Sequence, residues 1–221
     1  MNTQSIVLSI SPEIGNVSAQ YMMPDNCSCV MTLAHGAGAG MNHSFMVALS
    51  NALAEKGIAT LRFNFPFTEN KKARADTPAV AHQAIAAAVS KAQQLSPSLP
   101  LFVSGKSFGG RMSSQYLSAH NNIAVKGIIF YGFPLHPAGK PSVDRAEHLK
   151  QVKQPMLFLQ GTKDELATWD LIEPVCNSLK RATLVKIEGA DHSFKAGKKD
   201  IIPVLAAATH DWIKKKLKLK D

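Results

Sequence analysis

The sequence predicts an α/β protein built on a doubly wound, mostly parallel sheet, and three observations predict it. Short apolar runs alternate with longer amphipathic ones along the chain, the rhythm of strands and crossover helices. The runs at 29–34, 58–65, 125–131 and 156–159 are predominantly apolar on both alternating sets of positions, which fits strands covered on both faces. The amphipathic segments between them are long enough to carry the chain back across a sheet.

Each element has its own signal. Residues 6–10 and 17–23, separated by Ser11-Pro12-Glu13 and Gly15-Asn16, read as an N-terminal antiparallel pair. A strand at 29–34 runs into the glycine-rich segment Gly36-Ala37-Gly38-Ala39-Gly40. Residues 44–56 have helical spacing, with Phe45, Leu49 and Leu53 on one face and Gly57 as the stop. After a strand at 58–65, an alanine-rich helix over 77–95 carries Pro78 in its first turn and ends before Pro97. The second half repeats the pattern. Strands are expected at 101–104, 125–131, 156–159 and 182–187, and helices at 108–120, 168–179 and about 199–216. A polar connection occupies 135–154.

At 221 residues with 45% hydrophobic and 19% charged side chains, the chain is expected to form one domain over 1–221 with a core large enough to need no metal or disulfide staple. No apolar stretch approaches the ~20 residues of a membrane-spanning helix. The N-terminus Met1-Asn2-Thr3-Gln4-Ser5 lacks the basic and apolar regions of a signal peptide. Cys27 and Cys29 are spaced C-x-C, which matches neither the usual zinc pair nor a redox motif, and Cys176 stands alone. A reduced, cytoplasmic protein is expected. The net charge of +9 comes from 25 basic and 16 acidic residues, and five of the lysines lie between 214 and 220. No aromatics interleave with them, so nucleic acid is not the expected partner.

Two glycine-rich turns follow strands. Gly105-Lys106-Ser107 ends like a P-loop, but that motif needs glycine five positions before Gly105, where this chain has Pro100. Gly36-x-Gly38 starts like a dinucleotide fingerprint, but the third glycine would fall at Met41, and the next strand ends on Asn64, not an acid. No cofactor is expected. Gly105-Lys106-Ser107-Phe108-Gly109 is instead G-x-S-x-G between a strand and a helix, the nucleophile elbow. Chance supplies only about 0.07 such patterns in a chain of this composition.

A serine nucleophile needs a histidine to take its proton and an acid to orient that histidine. Asp164 follows the strand at 156–159 and His192 follows the strand at 182–187. Ser107, Asp164 and His192 therefore emerge at one edge of the sheet, where open α/β folds bind ligands. Glu165 and Asp170 remain alternatives for the acid, and Asp191 reads as a loop-shaping residue. Backbone N–H groups of Phe108 and Ala37 are the expected oxyanion donors. His35 is expected to brace the glycine-rich loop. Gly38, His43 and His136 are candidate substrate contacts, with His43 alternatively capping the helix at 44–56.

Through His35-Gly36-Ala37-Gly38, the elbow Gly105 to Gly109, Asp164 after a strand, and Gly189-Ala190-Asp191-His192, the chain resembles the α/β-hydrolase superfamily over nearly its whole length. Leu33 to Gly40, Arg62-Phe63-Asn64-Phe65-Pro66 and Gly105 to Arg111 are similar to a narrower branch. It contains small bacterial hydrolases related to dienelactone hydrolases, and the hydrolase-like domain of a eukaryotic chromatin-complex subunit. The resemblance implies the α/β-hydrolase fold and a Ser107–Asp164–His192 triad, and implies little about substrate. From the ordered residues, a serine hydrolase of a small-molecule ester or thioester working through an acyl-enzyme is expected. Dienelactone hydrolases proper carry cysteine where this chain has Ser107. A non-catalytic module that keeps the elbow geometry is the alternative reading. The interval 135–154 is too short for a lid domain, so an open site is expected. Its Lys140, Arg145, Lys150 and Lys153 offer charge for an anionic substrate.

Overall fold

The apolar runs pair into one mixed sheet in a computed structural model that describes residues 2–120 and 122–219. The strands are β1 (Asn2–Ser11), β2 (Gly15–Met23), β3 (Cys29–Ala34), β4 (Ile58–Phe63), β5 (Leu101–Lys106), β6 (Val125–Tyr131), β7 (Met156–Gly161) and β8 (Ala182–Ile187). Their order across the sheet is β1-β2-β4-β3-β5-β6-β7-β8. The N-terminal hairpin pairs antiparallel within itself and with β4, while β4 through β8 run parallel.

Successive side chains of a strand point to opposite faces, and here both faces are covered. In β7, Met156 and Phe158 join one apolar cluster, and Leu157 and Leu159 join the other. In β6, Ile128 and Phe130 face the first cluster, and Ile129 and Tyr131 the second. Helices α3 (Pro78–Leu95), α4 (Phe108–Ala119) and α5 (Trp169–Ser178) bury residues such as Ile85, Leu117 and Ile172 in the first cluster. Helices α1 (Ser44–Glu55) and α6 (Ile202–Leu217) bury residues such as Leu49 and Leu205 in the second. The sheet is doubly wound. This accounts for strands that read as continuous apolar runs.

Two short elements have no counterpart in the sequence reading. The expected strand at 58–65 stops at Phe63, because Pro66 opens the one-turn helix α2 (Pro66–Glu69), proline being well suited to a first helical turn. The polar connection contains a 3-10 helix, Asp144–Gln151, that buries Ala146 and Leu149 in the first cluster. No lid is inserted there. Among the described residues, no helix is long and apolar enough to cross a membrane.

The sheet order reverses beside β3: the chain moves from β3 outward to β4, then returns to lay β5 on the other side of β3. Loops that leave the carboxyl ends of β3 and β5 diverge at such a switch point and open a crevice between them. Ser107 and the glycine-rich loop stand at that crevice.

Candidate active site

Ser107 caps α4 with φ 50° and ψ −115°, a left-handed backbone that costs a non-glycine residue roughly 1–3 kcal/mol. Neighbouring bonds hold it there: the Ser107 N–H donates to the Tyr131 carbonyl (3.3 Å), and the Arg111 N–H donates to the Ser107 carbonyl (3.0 Å). The turn also demands its glycines. A Cβ on Gly105 would lie 2.4 Å from the Gly110 nitrogen, and one on Gly109 would lie 2.6 Å from the carbonyl oxygens of Ala34 and His35.

The turn aims Ser107 at His192, with Oγ 2.8 Å from Nε2. On the other side of the ring, Nδ1 lies 2.7 Å from Asp164 Oδ2. Asp164 is buried, and its carboxylate is saturated: Gln160 Nε2 donates to Oδ2 (2.6 Å) and the Leu166 N–H to Oδ1 (2.8 Å). These bonds fix the carboxylate so that Nδ1 of His192 carries the hydrogen and Nε2 is free to accept. Glu165 and Asp170 are exposed, and the acid within reach of His192 is Asp164. Asp191 shapes the loop, accepting the Ser193 and Lys195 N–H groups at 2.8 Å each.

The glycine-rich loop faces the serine across the crevice. Gly36, Ala37, Gly38, His43, Phe45 and Leu166 line a cavity of about 380 Å³ together with Ser107 and His192. Phe108 opens α4, and the first N–H groups of a helix have no intrahelical acceptor. His35 braces the loop from below. It is fully buried, its Nδ1 lies 2.8 Å from the Gly36 carbonyl, and its Nε2 accepts the Phe65 N–H at 3.0 Å. Burial drives its pKa down to about 4, against a weaker opposing pull from the Gly36 carbonyl, so the ring is neutral at pH 7.

This fold and site agree with a family relationship. A model of the α/β hydrolase domain family matches residues 27–211. The chain belongs to the α/β-hydrolase family. Solved structures with the same fold include a dienelactone hydrolase from Anabaena variabilis, at 18% identity and TM-score 0.78, over 97% of this chain and 99% of that one. Est1E from Butyrivibrio proteoclasticus with ferulic acid bound aligns at 18% identity and TM-score 0.76, over 96% and 99%. An α/β serine hydrolase without lid from Xanthomonas campestris aligns at 19% identity and TM-score 0.72, over 99% and 94%.

Other expected contacts of this α/β-hydrolase are placed differently. His43 Nδ1 accepts the Phe45 N–H as the cap of α1, and the residue also borders the cavity. His136 does not border it. Its ring is buried, with Nδ1 2.9 Å from the Pro137 carbonyl and Nε2 accepting the Thr168 N–H at 3.4 Å. It is a brace between two loops, because its neighbours satisfy both ring nitrogens away from the crevice. Arg145 and Lys150 of the basic connection line a different cavity, described below.

Three positioning groups escaped the sequence reading. Lys106, between the glycine and the serine of the elbow, donates from Nζ to the His192 carbonyl (2.6 Å) and sits over the Phe194 ring. It thereby ties the histidine loop to the nucleophile strand. Burial brings its pKa down to about 8, although Asp164 and Asp191 pull the other way. Arg62 is buried and donates to the Met41 carbonyl (2.6 Å) and to Gln20 Oε1. Asn64 Oδ1 accepts the Met41 N–H (2.9 Å). The two side chains grip both backbone polar groups of one residue, Met41, and anchor the end of the glycine-rich loop. Their only signal was the segment Arg62 to Pro66, which marked the branch without suggesting a role.

Proposed function

We propose that the protein is a serine hydrolase of small carboxylic esters or thioesters, working through an acyl-enzyme on Ser107. The observation that carries this reading is the continuous contact from Ser107 Oγ to His192 Nε2 (2.8 Å) and from His192 Nδ1 to Asp164 Oδ2 (2.7 Å) at the mouth of a cavity. Ser107 Oγ attacks the acyl carbon as its proton passes to His192 Nε2, and the imidazolium that forms is stabilised by Asp164. The carbonyl oxygen takes up the electron pair and is held by the N–H groups of Phe108 and Ala37, each such donor contributing about 10²–10³ in rate. The tetrahedral intermediate collapses, expelling an alcohol or thiol that receives its proton from His192. Water then attacks the acyl-enzyme by the reverse assignment, releasing the acid and restoring Ser107.

Cavity size and openness argue for short acyl groups. Est1E with its ferulic acid and the dienelactone hydrolase suggest small esters or lactones as the class to test first. The thiols of Cys27, Cys29 and Cys176 are free, which suits the reducing cytoplasm that we assign to the protein. The test is a nitrophenyl ester series from acetyl to palmitoyl, with an acyl thioester alongside. The wild type should turn over acetyl and butyryl esters fastest, and Ser107→Ala should lose kcat by about 10⁴-fold or more. Turnover that survives in folded Ser107→Ala would overturn the assignment.

A further inference from the structure

Arg111 and Arg145 were not absorbed by the chemistry above. Arg111 lies on the first turn of α4 and Arg145 on the 3-10 helix Asp144–Gln151. Both line a crevice of about 660 Å³, together with His148 and Lys150, which shares no lining residue with the Ser107 cavity. We propose that this crevice is a binding site for the phosphate group of a small molecule, held between Arg111 and Arg145.

The crevice holds a charge pair without a carboxylate partner. Arg111 is half-buried, and its pKa is lowered first by that burial and then by the charge of Arg145 close by. Its Nε is buried without a hydrogen-bond partner. Among the described residues, neither guanidinium has a carboxylate within 4.0 Å. Asp144 and Glu147 border the crevice yet stand beyond that distance from both. Two cations lining one partly desolvated crevice repel, and the repulsion is relieved when an anion enters with them. The planar guanidinium fork matches the paired oxygens of phosphate, to which it bonds in bidentate fashion. Lys150 adds a third cation at the same crevice.

His148 contributes shape and not charge. Its Nε2 lies 2.7 Å from Ser114 Oγ. Burial first, and the charge of Arg111 second, bring its pKa down to about 4, so it is neutral at pH 7. The flanking carboxylates of Asp144 and Glu147 favour a compact anion over an extended one such as nucleic acid, whose outlying phosphates they would repel. The site also adjoins the nucleophile turn through the backbone, since the Arg111 N–H donates to the Ser107 carbonyl.

Calorimetric titration of the full chain with inorganic phosphate and with phenyl phosphate, against chloride at matched ionic strength, tests the proposal. Both phosphates should bind saturably with one site per chain, equally to the wild type and to Ser107→Ala. Binding should weaken at least tenfold in Arg111→Gln and in Arg145→Gln. Arg145→Gln lies outside the nucleophile helix, and it keeps the test decisive if Arg111→Gln fails to fold. Citrate in place of phosphate should bind more weakly if the site reads phosphate; tighter citrate binding would overturn the ligand class. Absence of saturable binding at millimolar phosphate, undiminished binding to Arg145→Gln, or loss of binding in Ser107→Ala would overturn the site.

Discussion

A serine with a positive φ and two hydrogen-bonded neighbours is a residue held in place by its surroundings, and the histidines show the same principle in their protonation. His35 is kept neutral by burial, with its pKa brought down from 6.5 to about 4. The unfolded chain therefore binds a proton that the folded chain refuses between those values. The stability linked to His35 is complete above pH 6.5 and is lost as pH falls toward 4, with a slope of about 1.4 kcal/mol per pH unit. Urea midpoints measured from pH 7 to pH 4.5 should show this decline together with that of His148, and His35→Gln, which can still accept the Phe65 N–H, should make it shallower by the His35 share. A decline equally steep in the variant would sink the assignment. At this scale the sequence was informative where chemistry imposes spacing. Ser107 sits between glycines, and Asp164 and His192 follow strands, so all three could be read from the chain. His136 could not, because whether a histidine faces a cavity or is bonded away from it depends on a loop 32 residues on, whose Thr168 N–H it accepts. Arg62 was illegible for the same reason: its acceptor belongs to Met41, in another loop.

Strands and helices convert those residues into a site through close contact between backbones. Helix α4 leaves β5 so sharply that a Cβ on Gly109 would collide with the carbonyls of Ala34, the last residue of β3, and of His35 after it. Gly109→Ala should push α4 off β3 and cost about 3 kcal/mol or more, seen as a lower urea midpoint or as failure to accumulate folded protein. Gly38→Ala is the contrasting case. Its Cβ would meet nothing within 4 Å, so stability should hold, and an equal loss at both positions would contradict this packing account. The parallel strands were legible because burial on both faces leaves long apolar runs. The helix Pro66–Glu69 and the 3-10 helix Asp144–Gln151 were not. One is a single turn, too short to show a period, and the other is mostly polar, with Ala146 and Leu149 as its buried residues.

At the scale of the whole molecule, the order β4-β3-β5 opens a crevice, and the loops after β3, β5, β7 and β8 bring Ala37, Ser107, Asp164 and His192 to it. The interval between β6 and β7 holds a 3-10 helix where a lid would stand, which leaves the cavity at Ser107 uncovered from that side. Part of the basic character that stood out in the composition lies in a C-terminal run, whose last residues lie outside the described part, and part in an arginine pair away from the Ser107 cavity. Length said more about the site than charge did. The central claim is that Ser107 is an activated nucleophile, and intact-protein mass spectrometry after treatment with a fluorophosphonate tests it most directly. The wild type should gain one phosphonyl adduct that maps to Ser107, and folded Ser107→Ala should gain none. A folded wild type that stays unmodified, or an adduct that persists in Ser107→Ala, would contradict the account.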